Sequence, residues 1–360
     1  MSCVTAASLD EVYALLKRVV EVPSVAGFCD HARDAIRSEM GACAEEVTVD
    51  VLGNVIGRVG SGDLRVMFSA HMDQVGFMVR GIDKSGLIRF SPVGGWDSRV
   101  VLGSRVLIHT SEGPVLGVVS VKPVHFRGMF PDEFKKAPEF HNMVIDVGAS
   151  SDEEARKMGV RVGDPITLYA PVERLKGGKL AVGGGFDDKA GVVSMLLAMR
   201  ELASSGVPEG VSVYFVASTQ EELGARGARV ATFKVNPKVG VAVDVTHAKA
   251  PGVDEKLTSI ELGKGPAIGM GPNFHRRVWE SLIKAAEGAG VPYQLEPIPG
   301  PSGTDAHVMQ VTREGVYTGL ISLPLRYMHT GIEVLSLEDV ANVGKLMAEF
   351  VRRIDASAFP

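Results

Sequence analysis

Four near-continuous apolar stretches constrain this chain most: Val66-Met67-Phe68-Ser69-Ala70, Val211-Ser212-Val213-Tyr214-Phe215-Val216-Ala217, Val239-Gly240-Val241-Ala242-Val243 and Val316-Tyr317-Thr318-Gly319-Leu320-Ile321-Ser322. Runs rich in β-branched and aromatic residues at successive positions read as strands buried on both faces, which calls for a sheet covered by helices on either side. Acidic or imidazole side chains stand where such runs stop: His71 after Ala70, Glu221 and Glu222 beyond Ala217, Asp244 after Val243, and His329 and Asp187 beside further apolar stretches. Ligands of open α/β sheets bind at strand ends, so the expected site is a sheet edge.

The flanking segments complete an α/β rhythm. Leu9, Val12, Leu15, Leu16, Val19 and Val20 recur at helical spacing behind Asp10 and Glu11, whose charge suits a helix start. A second helix is expected over 30–40, then a hairpin over 46–58 turning at Gly53-Asn54. After Asp73 the texture changes to short alternating pieces broken by Gly, Pro, Asp or Ser, the pattern of a small β-barrel or sandwich. Within it, 151–159 reads as a capped helix. Helices are then expected over 189–202, 274–286, 304–310 and 337–354, with strands over 211–218, 239–243 and 316–322. The fold class expected is α/β, a mixed sheet with helices on both faces. Its discontinuous domain covers 1–73 and 170–360 and is interrupted by an inserted β-rich, barrel-like domain over 74–169.

Composition narrows the function classes. With 38 basic against 43 acidic residues, a net charge of -5 is too mild and dispersed for a nucleic-acid or anionic-membrane partner. Cys3, Cys29 and Cys43 show no CxxC spacing, so neither a disulfide framework nor a thiolate metal site is expected. The first ten residues lack a signal-peptide profile, and no apolar run approaches the roughly 20 residues a membrane span needs. A cytoplasmic protein is the expectation.

The polar clusters point to metal chemistry. In His71-Met72-Asp73, the aspartate is placed to accept the second ring N–H of a metal-ligating histidine, although HxD alone also describes an ordinary surface histidine. Gly183-Gly184-Gly185-Phe186-Asp187-Asp188-Lys189 pairs close backbone approach with two carboxylates, which favours a hard cation over a phosphate. Glu221 and Glu222 repel each other at a strand end unless a cation or proton stabilises them. Asp244 also reads as a helix cap and His329 as a packed histidine when each is taken singly. Together, two divalent ions of about +4 would balance Asp187, Glu222, Asp244 and a hydroxide of about −4.

These strings, together with Gln74-Val75-Gly76-Phe77, Gly303-Thr304-Asp305-Ala306 and Pro324-Leu325-Arg326-Tyr327-Met328-His329, resemble the tetrahedral aminopeptidase family of co-catalytic metallopeptidases. That family includes glutamyl and deblocking aminopeptidases and proteins called cellulase M. The resemblance implies two Zn²⁺ or Co²⁺ ions, with Asp187 bridging them, His71 and Asp244 completing one site, and Glu222 and His329 the other. It further implies Glu221 as general base, Asp73 orienting His71, peptide substrates, and a homo-oligomer, a tetrahedral dodecamer associating through the inserted domain. Gln74 and Lys189 depart from the acidic residue and arginine common there. A glucanase, or a non-catalytic scaffold of the same fold, is the alternative function.

Overall fold

A computed structural model describes residues 7–254 and 256–359. Cys3 and the opening residues 1–6, on which part of the signal-peptide reading rests, lie outside the described residues.

The parallel strands Val211–Ser218, Leu64–His71, Val239–His247 and Tyr317–Arg326 lie side by side in that order, at the centre of an 11-stranded sheet. Antiparallel strands extend it: Val55–Gly60 and Glu46–Val49 on one side, Glu333–Ser336, Leu180–Gly183 and Glu173–Arg174 on the other. Ala267–Met270 and Gln294–Pro297 branch from the Tyr317–Arg326 strand. The central strands are apolar at consecutive positions because both their faces are covered.

Helices Leu9–Val20, Asp30–Gly41, Phe186–Ser205, Arg276–Ala289 and Leu337–Arg352 supply the larger core, around Phe68, Phe215 and Phe350. Arg226–Val235 and the short Ala306–Met309 cover the opposite face against Met67, Ala242 and Leu320. Local signals set several helix starts: Ser8 and Glu11 form a reciprocal capping box, and Ser336 caps the last long helix by accepting from Asp339 N–H.

Six strands between Gly76 and Leu168 close into a barrel with a separate core of Phe77, Phe90, Ile108 and Ile145. Among the short pieces after Asp73, one strand is only Ile145–Asp146, and the 304–310 helix shrinks to Ala306–Met309. The third central strand runs on to His247, so Asp244 lies within it, not past its end.

Candidate metal centre

His71 ends its strand directly beside Ser218 in parallel register, and the chain beyond Ser218 turns at once into a single 3-10 turn carrying Glu221 and Glu222. The expected site residues converge here. Asp187 Oδ1 is 3.1 Å from His71 Nε2, and its Oδ2 is 3.1 Å from His329 Nε2. Glu222 Oε1 lies 3.2 Å from His329 Nε2, Asp244 Oδ1 3.8 Å and Glu221 Oε2 3.9 Å from His71 Nε2. His71, Asp187, Asp244 and Asp73 are buried, and Glu221 and Glu222 are partly so.

Asp73 works differently from the expectation. The Nδ1 of His71 meets the backbone carbonyl of Asp73 at 2.8 Å, while the Asp73 carboxylate stands 3.8 Å away. That carboxylate accepts instead from the backbone N–H groups of Glu221 and Glu222, at 3.1 and 3.2 Å. One residue thus orients the imidazole through its main chain and aims the glutamate pair through its side chain.

Three further carboxylates were not assigned from sequence. Glu333 accepts from Phe186 N–H at 2.7 Å and from His329 N–H at 3.0 Å, tying the two chain segments that present Asp187 and His329. Asp188 accepts from His71 N–H at 3.2 Å. Asp305, in the Gly303-Thr304-Asp305-Ala306 string, accepts from Ser69 and Ser218 hydroxyls at 2.7 and 2.6 Å, lacing together the two central strands. The string flagged Asp305, but nothing local marks Glu333. Gln74 and Lys189 touch: the lysine amine donates to Gln74 Oε1 and to the carbonyls of Val20 and Val22. Burial pulls that amine down to about 7, a state that a neutral amide tolerates.

The donor set fits divalent cations. Both histidines give Nδ1 to a carbonyl, His71 to Asp73 O and His329 to Gly95 O, each at 2.8 Å. A carbonyl only accepts, so each Nδ1 carries the proton, and in the neutral ring each Nε2 turns a lone pair toward carboxylate oxygens. Carboxylate oxygens this close to each Nε2 call for a positive charge between them, which with protein charges alone is the proton that lifts both rings above the usual imidazole range, and whose place a divalent cation can take. Buried Glu222 Oε1 has His329 Nε2, 3.2 Å away, facing it, a contact that a cation held between the two would satisfy. With protein charges alone, burial pushes Glu221 up to about 8 and Asp73 to about 6, and lifts Asp188 and Asp244 well above the usual range. Burial lowers His329, but its bonds to Asp187 and Glu222 outweigh this and raise it to about 11. Burial likewise opposes ionised Asp187, yet His329 and His71 hold its carboxyl below the usual range. So many desolvated acids around two imidazoles form a cage with excess negative charge. Two buried or part-buried ligand groups within coordinating reach are His71, Asp188, Asp244 and His71, Asp187, Glu222.

Comparison with known proteins agrees. A family model described as M42 glutamyl aminopeptidase matches residues 53–346. The chain is 39% identical to the lysyl aminopeptidase of Pyrococcus furiosus over 350 residues, 96% of this chain and 99% of that one. A TET aminopeptidase from the marine sediment archaeon Thaumarchaeota archaeon superposes with TM-score 0.92 at 35% identity, covering 98% of this chain and 99% of its own. For the TET1 peptidase of Pyrococcus horikoshii, which can assemble into a tetrahedron or a large octahedral shell, the TM-score is 0.84 at 30% identity, covering 95% and 100%. On this fold, this cage of acids and imidazoles and these matches, the chain belongs to the M42 glutamyl aminopeptidase family of peptidases.

Proposed function

We propose that this protein is a metal-dependent aminopeptidase that releases N-terminal residues from peptides using two divalent ions, Zn²⁺ or Co²⁺. The observation that carries the reading is Asp187, whose two oxygens face two different histidines at equal distance. That is the arrangement a carboxylate needs to bridge two cations. In this reading His71 and Asp244 would hold one ion and Glu222 and His329 the other, with Asp187 as the ligand common to both. When bound, the ions supply Lewis acidity toward the scissile carbonyl and acidify water.

The chain's own groups do the rest. Glu221 coordinates neither ion and takes the proton of the attacking water, then returns it to the departing amine. Its part-buried position beside Glu222 and Asp305 suits a base that must both accept and release a proton near neutrality. Asp73 keeps Glu221 in place through the turn's N–H groups and keeps His71 Nε2 pointed inward.

The molecule is proposed to work as a homo-oligomer, a tetrahedral dodecamer joined through its barrel, as the assembling Pyrococcus horikoshii relative suggests. The test is release of the first residue from unblocked peptides, abolished by a chelator and absent for the same peptides acetylated at the N-terminus. Equal cleavage of blocked peptides, activity that survives chelation, or reducing sugar freed from a β-glucan instead would overturn the reading.

A further inference from the structure

We propose that the cleft between the barrel and the end of the first helix binds a free amino acid with an apolar side chain, outside the metal centre; that such an amino acid is the protein's own product rests on the aminopeptidase reading above. The cleft holds about 410 Å³ and lies at the two chain crossings between sheet and barrel: Gln74, ahead of the Gly76–Ile82 strand, and Tyr169, after Pro165–Leu168, both line it. Ligand pockets run from roughly 300 to 1,000 Å³, so one amino acid with some water fits. Toward Asp187 and Glu333, Gln74 and Gly184 also line a second hollow of about 20 Å³, room for about one water and not for an amino acid. An occupant of the cleft is therefore held apart from the metal centre.

On the Arg105–Thr110 strand, Val106 and Ile108 fill the barrel core, so alternation turns Leu107 and His109 outward into the cleft. Ile166 and Thr167 divide in the same way on Pro165–Leu168. The polar groups gathered there have bonding capacity left over. Gln74 Oε1 accepts from the Lys189 amine and from Ser24 Oγ at 3.4 Å, which makes its Nε2 a donor, one with no acceptor among the described residues. His109 Nε2 meets Thr167 Oγ1 at 2.8 Å, and its Nδ1 has no partner among the described residues. The hydroxyl can give a proton or take one, so Nδ1 can offer an N–H. Two N–H donors in one cleft suit a carboxylate. Glu21 supplies the opposite sign: its Oε1 accepts from Val172 N–H at 3.0 Å and pairs with Lys17 at 3.2 Å, while Oε2, unengaged among the described residues, can take an ammonium. Val22, Pro23, Leu107, Leu168 and Pro171 make the rest of the lining apolar. Donors for a carboxylate, an acceptor for an ammonium and an apolar wall complement a zwitterion with an apolar side chain.

The experiment is calorimetric titration of the metal-loaded protein with L-leucine, with 4-methylpentanoate, which lacks the ammonium, and with leucinamide, which lacks the carboxylate. Leucine should bind at least about tenfold tighter than either analogue, at a site that His109→Leu weakens by a similar factor. Leu107→Trp, which fills the cleft from the barrel wall, should abolish that binding. Glu21→Gln, which keeps an acceptor for Val172 N–H, should bring leucine down to the level of 4-methylpentanoate. Turnover of an unblocked peptide without added leucine should match wild type in His109→Leu and Leu107→Trp, which also shows that both are folded. Leucine binding that persists unchanged in those two variants lies at the metal centre and overturns the proposal, as does either analogue binding as tightly as leucine. A protein that cleaves no peptide, yet binds leucine and loses it in both variants, refutes the enzymatic reading and upholds the cleft.

Discussion

Asp187 turns one oxygen to each histidine, and neither histidine has a free choice of tautomer, because a backbone carbonyl occupies each Nδ1. From this residue-level geometry two outcomes follow. Glu221→Gln keeps the hydrogen bond from its backbone to Asp73, so the turn should stand and the metal content should match wild type. Turnover should nevertheless fall by roughly 10²–10⁴, the usual contribution of a positioned base, as read from kcat on an unblocked peptide. Near-normal kcat in that variant would remove Glu221 from the mechanism. His329→Ala should lose one metal equivalent by elemental analysis, and an unchanged stoichiometry would end its role as a ligand. At this scale the sequence identified the residue types, since a strand end followed by His or paired acids is visible in one dimension. The division of labour in Asp73 was not visible, because whether a side chain or its own carbonyl meets an imidazole depends on the local turn.

Long elements with a strong apolar period were legible and the short ones were not. The helix from Leu9 and the strand ending at His71 carry enough buried residues to declare their period. Glu173–Arg174, Leu180–Gly183 and Glu333–Ser336 are too short, and they exist because the sheet's edge accepts any extended segment brought alongside. The helix Arg226–Val235 was missed because its valines, threonine and phenylalanine favour strands, and packing of Ala228, Ala231 and Val235 under the sheet overrides that bias. One barrel element carries a pH-sensitive group. His109, on the strand Arg105–Thr110, is half-buried with Nε2 2.8 Å from Thr167 Oγ1, and burial, aided by His31 and Lys189, pulls it down to about 4. Its neutral form is therefore the folded form. The stability it contributes is present above the unfolded value of about 6.5 and is lost as pH falls from there toward 4. After solvent screening the contribution is on the order of 1–2 kcal/mol. Denaturant unfolding at pH 7 and pH 4 should show His109→Gln to be less acid-sensitive than wild type by that amount. Equal acid sensitivity would show that His109 is not the group concerned.

At the scale of the whole molecule, the barrel touches the candidate metal centre through Gly95, whose carbonyl fixes His329, so two separately cored bodies meet at one cluster. The barrel also displays Val121, Val124, Phe126, Met129 and Phe130 on its surface, with Met129 73% exposed. An apolar patch of this kind, in a chain that reads as a homo-oligomer, is suited to meet another copy. Replacing Val124 and Met129 together by Asp should convert the assembly to smaller species in sedimentation velocity while leaving the monomer's thermal unfolding nearly unchanged, and an unaltered assembly would locate the contact elsewhere. By itself the sequence determined the class of sheet, the presence of an inserted β-rich segment and the identity of the acids and imidazoles, because burial on both faces and uncompensated charge are written in residue type and spacing. Only the tertiary structure decided that residues from 71 to 333 share one cage and that Glu333 and Gly95 hold its histidine. Those are contacts between strands and loops far apart in the chain, whose distances are set by register and packing and carry no local signature.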